Sequence, residues 1–247
     1  MATDGRQLCV ALLGVPESTA STLYGRYDVL ASAGRDWSLL VEGRAAQSSI
    51  RTLIVSATGE PFEAPNGLRI SPTAAFADCP RPDVIAIPDL MVPPGEDLAG
   101  RYETEIDWIR HAYAGGAVLA TACTGALVLA EAGLLDGHDV TTHWAYSESM
   151  QRQYPRLRMH PNRALIVSGD EHRLILAGGG TSWHDLALYL IARFVSTEEA
   201  MRVARLHLLS WHDIGQLPVF VNNGPEFVSR AIHGTIPGRL HLLSVLR

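Results

Sequence analysis

Short apolar runs alternate with segments of helical spacing along most of this chain, and that alternation constrains its fold more than any other feature. The apolar runs are Leu8–Leu13 (LCVALL, ending at Gly14), Thr52–Val55, Asp83–Pro88 (DVIAIP), Ala117–Ala122 and Arg173–Ala177. Each reads as a buried strand bounded by turn residues. Between them, Ser18–Ala31 carries Leu23, Tyr27 and Leu30 in helical phase with Gly34 as a stop. Leu98–Ala114 carries Ile106, Ile109 and Tyr113 in phase, and Thr124–Ala132 ends at Gly133, a C-cap. Thr181–Phe194 and Thr197–Leu209 are further helices, the second opening on Thr197-Glu198-Glu199, which places acids in its first turn. Parallel strands need crossover helices, so the pattern predicts an α/β fold: a doubly wound, mostly parallel sheet with helices on both faces. Two hairpins interrupt it, at Pro65-Asn66-Gly67 within Phe62–Ile70 and at Gly169-Asp170.

Composition narrows the function classes. Hydrophobic residues at 47% against 19% charged supply one sizeable core and exclude disorder as the main state. The longest apolar runs, Ala117–Ala122 and Ala126–Ala130, fall far short of the roughly 20 residues a bilayer needs, so no membrane span is expected. Met1–Gln7 is polar and carries no secretory h-region. Cys9, Cys79 and Cys123 form no CxxC pair, no disulfide framework and no zinc spacing, which points to a reducing cytoplasm. Twenty basic against 26 acidic residues, a net charge of −6, argue against a dedicated DNA-binding domain.

The doubly wound domain is expected to span residues 1–223. After Asn222-Asn223-Gly224-Pro225 the texture changes, and residues 224–247, with Arg230, Arg239 and Arg247 against Glu226, read as a C-terminal tail with no helix-turn-helix pattern. Ser-Trp-His-Asp occurs at both 182–185 and 210–213, but the flanks differ, so no internal repeat is inferred.

The segment with the sharpest chemical content is Val118-Leu-Ala-Thr-Ala-Cys123-Thr-Gly-Ala-Leu. A strand runs into a small-residue turn and a helix starts at once, so Cys123 sits where a nucleophile elbow would hold it. The helix N-terminus behind it favours thiolate, which predicts a pKa below the free value of about 8.5 and faster alkylation than at Cys9 or Cys79. The competing reading is a small buried apolar residue. Cys9 and Cys79 read as structural. Gly125 allows close approach of backbone or ligand. His143, in Thr141-Thr142-His143-Trp144, is a base or hydrogen-bond partner for the cysteine, or else a satisfied half-buried side chain. Gly178-Gly179-Gly180-Thr181 precedes a helix but lacks the lysine and spacing of a phosphate loop, so no cofactor is expected, and close backbone approach near Cys123 is its reading. Asp185 either orients His143 or favours its own helix N-terminus.

At these residues the chain resembles the DJ-1/PfpI superfamily, whose fold is that of class I glutamine amidotransferases. ATACTGALVLAEAGLLDG (Ala120–Gly137) and TTHWAY (Thr141–Tyr146) look like the elbow and histidine segments of its isonitrile hydratases and AraC-type regulators. AAFADC (Ala74–Cys79) and DVIAIP match the stretch ahead of the second glycine-rich loop, and GGGTSWHDLALYLIARF (Gly178–Phe194) with the segment ending WHDIGQLP (Trp211–Pro218) is most similar to the regulator branch. The resemblance implies Cys123 as the elbow cysteine, the Thr124 N–H as an oxyanion donor and His143 as the nearby histidine. It also implies Asp89, Leu90, Gly125, Gly179, Thr181 and Trp183 as ligand contacts, and a homodimer.

Two departures from the family pattern bear on activity. Thr22 stands at the position of the usual acid, while Glu17 is close in sequence but points elsewhere. Pro88-Asp89-Leu90-Met91 replaces the Gly-Gly oxyanion loop, and losing one oxyanion donor costs about 3 kcal/mol of transition-state stabilisation. The leading expectation is a small-molecule sensing domain of the AraC-type regulator family without its helix-turn-helix half, contacting DNA only through a domain absent from this chain. The alternative is a cysteine-dependent hydratase or hydrolase using Cys123.

Overall fold

The computed structural model describes residues 6–210 and 216. The tail expected at 224–247, the boundary at 223 and most of the Trp211–Pro218 segment lie outside the described residues.

In chain order the strands are β1 (Leu8–Leu13), β2 (Ile50–Ser56), β3 (Phe62–Glu63), β4 (Arg69–Ile70), β5 (Ala74–Ala75), β6 (Val84–Ile87), β7 (Val118–Ala122), β8 (Asp139–Val140), β9 (Arg158–Met159), β10 (Leu165–Ser168) and β11 (Leu174–Ala177). The helices are α1 (Ala20–Ser32), α2 (Asp36–Leu40), α3 (Glu103–Ala114), α4 (Ala126–Glu131), α5 (Trp144–Gln153), α6 (Trp183–Phe194) and α7 (Thr197–His207). Seven strands form the main sheet in the order β10-β11-β7-β6-β1-β2-β5. Every neighbouring pair is parallel except the hairpin β10–β11, whose turn begins at Gly169. The predicted hairpin at Pro65-Asn66-Gly67 is the β3–β4 pair, and the Asn66 side chain accepts from the Leu68 N–H inside its turn.

Both faces of the sheet are covered because its strands alternate with period two. Leu8, Val10 and Leu12 of β1, Val84 and Ala86 of β6, Val118 and Ala120 of β7, and Ile175 and Ala177 of β11 join Leu23 and Leu30 of α1, Leu186 and Leu190 of α6 and Val203 of α7. The intervening residues Leu13, Ile85, Ile87, Leu119, Leu174 and Leu176 join Ile106 and Ile109 of α3, Leu127 and Val128 of α4 and Met150 of α5. Each fully buried Leu or Ile contributes about 2 kcal/mol. Among the described residues no helix is long and apolar enough to cross a membrane.

Three elements differ from expectation. The helix read from Leu98 begins only at Glu103, with Glu103 and Glu105 favouring its N-terminus, while Leu98 and Tyr102 are buried in the loop before it. The helix read from Thr124 opens as a 3-10 turn over Cys123–Gly125 and becomes α-helical at Ala126. Helix α5 was not legible, because its buried face carries Ser147, Ser149 and Met150, so small polar side chains hide the helical period.

The topology fixes where a site belongs. From β1 the chain winds outward through β2 to β5, then returns to place β6 on the other side of β1. Parallel α/β sheets hold ligands at the carboxyl ends of strands beside such a reversal. The loops after β1, β6 and β7 meet there.

Candidate functional site

The elbow is a strained turn held from several sides. Cys123 has φ +55°, a left-handed conformation that a non-glycine residue adopts only when its surroundings impose it. Here the Cys123 N–H donates to the Gly178 carbonyl at 3.0 Å, and the Thr142 hydroxyl donates to the Cys123 carbonyl at 2.8 Å. Gly125 is required by close approach: a Cβ there would collide with the Pro88 carbonyl oxygen and sit 2.9 Å from that of Ile87. The turn after β7 is thereby clamped against the end of β6.

An open cavity of about 510 Å³ lies beside the elbow, lined by Asp89, Leu90, Met91, Val92, Pro93, Cys123, Thr124, His143, Tyr146 and Gly180. A smaller cavity of about 70 Å³ shares His143 and Gly180 with it and adds Trp144, Gly179, Thr181, Ser182 and Gln216. Cys123 therefore borders a void rather than lying wholly inside the core.

Its protonation state differs from the expectation of a depressed pKa. Burial pushes the Cys123 thiol up to about 12, and the Asp89 carboxylate adds to the rise; a hydrogen bond from the Thr124 N–H pulls the other way without offsetting it. The helix dipole behind the elbow is weak, because a 3-10 turn and only six α-helical residues follow. At neutral pH Cys123 is a thiol.

The loop that stands in place of the family's oxyanion loop is closed by its own hydrogen bonds. The Leu90 N–H donates to the Thr124 hydroxyl at 2.6 Å, and that hydroxyl donates back to the Leu90 carbonyl at 2.7 Å. The Met91 N–H donates to the Glu17 carbonyl at 2.8 Å and the Val92 N–H to the Leu90 carbonyl at 3.0 Å. Glu17 itself turns away from the cysteine and accepts from Arg101 at 2.6 Å.

The carboxylate in the cavity comes instead from the loop after β6. Asp89 is half-buried and accepts a hydrogen bond from the Thr22 hydroxyl of α1. The residue standing at the usual acidic position thus holds an acid delivered by a different loop. Arg26, one turn further along α1, is fully buried; its Nη1 donates to the Ile87 carbonyl at 3.1 Å while its Nε and Nη2 have no hydrogen-bond partner. Burial lowers its pKa to about 10 and the charge of Asp89 opposes that fall, so it stays protonated at neutral pH.

His143 has a structural duty. It is the N-cap of α5, and its Nδ1 accepts from the Ala145 N–H at 3.1 Å. That contact places the ring proton on Nε2, leaving a neutral donor and disfavouring the base role. Burial holds its pKa below the ordinary histidine value, with Asp89 partly opposing. The ring lies so close to Gly179 that a Cβ there would overlap it, within 3.0 Å of Nε2. A depressed histidine pKa means the unfolded chain binds the extra proton first, so stability falls as pH drops through about 6.5. His143→Asn, which keeps a capping side chain, is expected to flatten that acid limb, measured as melting temperature against pH. Equal slopes in both proteins would contradict it.

The match to known proteins decides the family. Residues 29–191 fit the DJ-1/PfpI family model, and that span contains the clamped elbow. The chain belongs to the DJ-1/PfpI family. It is 31% identical over 227 residues to an isonitrile hydratase of Pseudomonas putida, covering 91% of this chain and 86% of that protein. It is 31% identical over 171 residues to the HTH-type transcriptional regulator CdhR of Pseudomonas aeruginosa, covering 69% of this chain but 48% of the regulator. The DJ-1beta structure of Drosophila melanogaster superposes with a TM-score of 0.67 at 19% identity, over 83% of this chain and all of that one (100%), which shows the shared fold.

Of the residues expected to form the DJ-1/PfpI site, the structure gathers Cys123, Thr124, Asp89, Leu90 and His143 around the larger cavity and Gly179 and Thr181 around the smaller. Trp183 and Asp185 line neither described cavity. Trp183 packs over Gly25 of α1, and Asp185 is buried in the first turn of α6. Gly125 is buried under the Pro88 carbonyl, where it positions the turn. Met91, Val92, Pro93, Tyr146 and Gln216 were not foreseen. Tyr146 stood inside the TTHWAY segment, but only the unseen helix α5 aims it at the cavity, where its hydroxyl donates to the Val92 carbonyl at 2.6 Å. Gln216 accepts from the Gly179 N–H at 2.8 Å and donates to the Thr142 carbonyl at 3.0 Å, closing the floor of the smaller cavity. Among the described residues no group of three His, Cys, Asp or Glu side chains is placed to hold a metal ion.

Proposed function

We propose that this DJ-1/PfpI domain is a small-molecule receptor of the kind that AraC-type regulators carry, acting as a homodimer, rather than a cysteine catalyst. The observation that carries this reading is the state of the elbow: a thiol held up to about 12 beside a carboxylate, with the Leu90 N–H spent on Thr124. Nucleophilic catalysis needs a thiolate and free donors for the developing oxyanion, and this pocket offers a neutral thiol and a negative charge. A cavity of about 510 Å³ is within the range that receives a metabolite. The similarity to CdhR supports transcription as the process that ligand occupancy serves.

The alternative, a Cys123-dependent hydratase, is favoured by the match to isonitrile hydratase over 86% of that enzyme. Incubation with simple isonitriles and with methylglyoxal separates the two. The receptor reading expects no turnover above buffer and a raised melting temperature with a subset of a metabolite panel. Turnover that is lost in Cys123→Ala and kept in Cys9→Ala would establish the enzyme instead.

A further inference from the structure

We propose that the cavity at Cys123 takes a small organic cation, an ammonium or amidinium with no carboxylate beside it, and that Asp89 is its counter-ion. The proposal rests on the receptor reading above and names the chemistry of its ligand.

The lining carries the argument. Among its ten residues the side chain with a formal charge is Asp89, and neither Lys nor Arg is present. Asp89 accepts from the Thr22 hydroxyl, a neutral donor that orients the carboxylate without neutralising it. Arg26 is buried behind the end of β6, outside the cavity lining, and its Nε and Nη2 reach no acceptor, so it offsets the field of Asp89 only at longer range. The lining beside Asp89 includes Leu90, Met91, Val92, Pro93 and Tyr146, suited to an apolar body with one polar end.

The same cavity is poor in places for an anion. The N–H groups of Leu90, Met91, Val92 and Cys123 are all committed to protein acceptors. The Tyr146 hydroxyl donates to the Val92 carbonyl. What remains for a ligand are the Thr124 N–H, directed at the Cys123 sulfur, and the Nε2–H of His143, neutral donors suited to a hydroxyl or carbonyl oxygen. A carboxylate entering the cavity would meet Asp89 with no cationic partner of its own, so an α-amino acid would lose at one end what it gained at the other.

Four probes that share a phenyl ring test the ligand class: benzylamine, benzyl alcohol, benzoate and phenylglycine, titrated into the full chain by calorimetry. Benzylammonium is expected to bind in about the millimolar range and benzyl alcohol about tenfold more weakly, the difference a charge-assisted contact makes. Benzoate and phenylglycine should bind more weakly still. Asp89→Asn keeps an acceptor for Thr22, and should bring benzylammonium down to the level of benzyl alcohol. Tighter binding of benzoate or phenylglycine would leave a receptor and overturn the cation. An unchanged benzylammonium affinity in Asp89→Asn would overturn the role of Asp89. Failure of all four probes to saturate at about 10 mM would overturn the cation proposal, while the metabolite panel decides the receptor reading separately.

Discussion

Iodoacetamide should modify Cys123 about a hundredfold more slowly than a free cysteine at pH 7.5. A thiol at about 12 has roughly three orders of magnitude less thiolate at that pH than one at about 8.5, and the greater nucleophilicity of the more basic sulfur returns about half of that on the logarithmic scale. Cys79, pushed up to about 11 by burial, should be no slower than Cys123. The rate at Cys123 should climb with pH through the alkaline range as thiolate forms. Asp89→Asn should speed the reaction at fixed pH, because the charge of Asp89 opposes ionisation of the sulfur. Mass spectrometry of each labelled peptide against time gives the rates. Selective labelling of Cys123 at neutral pH would mean a stabilised thiolate, and the catalytic reading would return with it.

Gly125→Ala should destabilise the domain by about 3 kcal/mol, the range for overpacking against atoms that cannot move aside. Its Cβ would meet two carbonyl oxygens at the end of β6, those of Ile87, which is paired in the centre of the sheet, and of Pro88, the residue directly after it. For a domain of this size that corresponds to a melting temperature lower by about 6–12 °C. The substitution should also displace Thr124 from Leu90, because Thr124 precedes Gly125 directly and the two hydrogen bonds between Thr124 and Leu90 depend on that spacing. Calorimetry of the variant checks the first expectation. A melting temperature within a degree or so of the parent protein would show that the turn relaxes more easily than its clamped geometry implies.

These two sites show where sequence stops informing. Cys123 was identifiable as an elbow residue because strand, small-residue turn and helix are contiguous. Its ionisation was not, since the burial that raises it and the carboxylate that reinforces it come from elements distant in the chain. Thr22 and Asp89 stand 67 positions apart, and each taken singly reads as a defect in a catalytic pattern. Brought together by the return of β6 to the side of β1, they form one hydrogen-bonded unit. His143 was read either as a partner for the cysteine or as a satisfied half-buried side chain, and its ring caps α5, a helix that its own small polar residues concealed.

The sequence by itself determined the layered α/β architecture, both hairpins, the elbow at position 123 and, through its motifs, the family. Those properties are written in local periodicity and contiguous residues, where one stretch of chain carries the whole signal. Only the tertiary structure decided which groups share a cavity, which donors are already spent and whether the sulfur carries charge. Hydrogen bonding, desolvation and Coulomb interaction act through space, and folding brings together residues whose order along the chain holds no record of their approach.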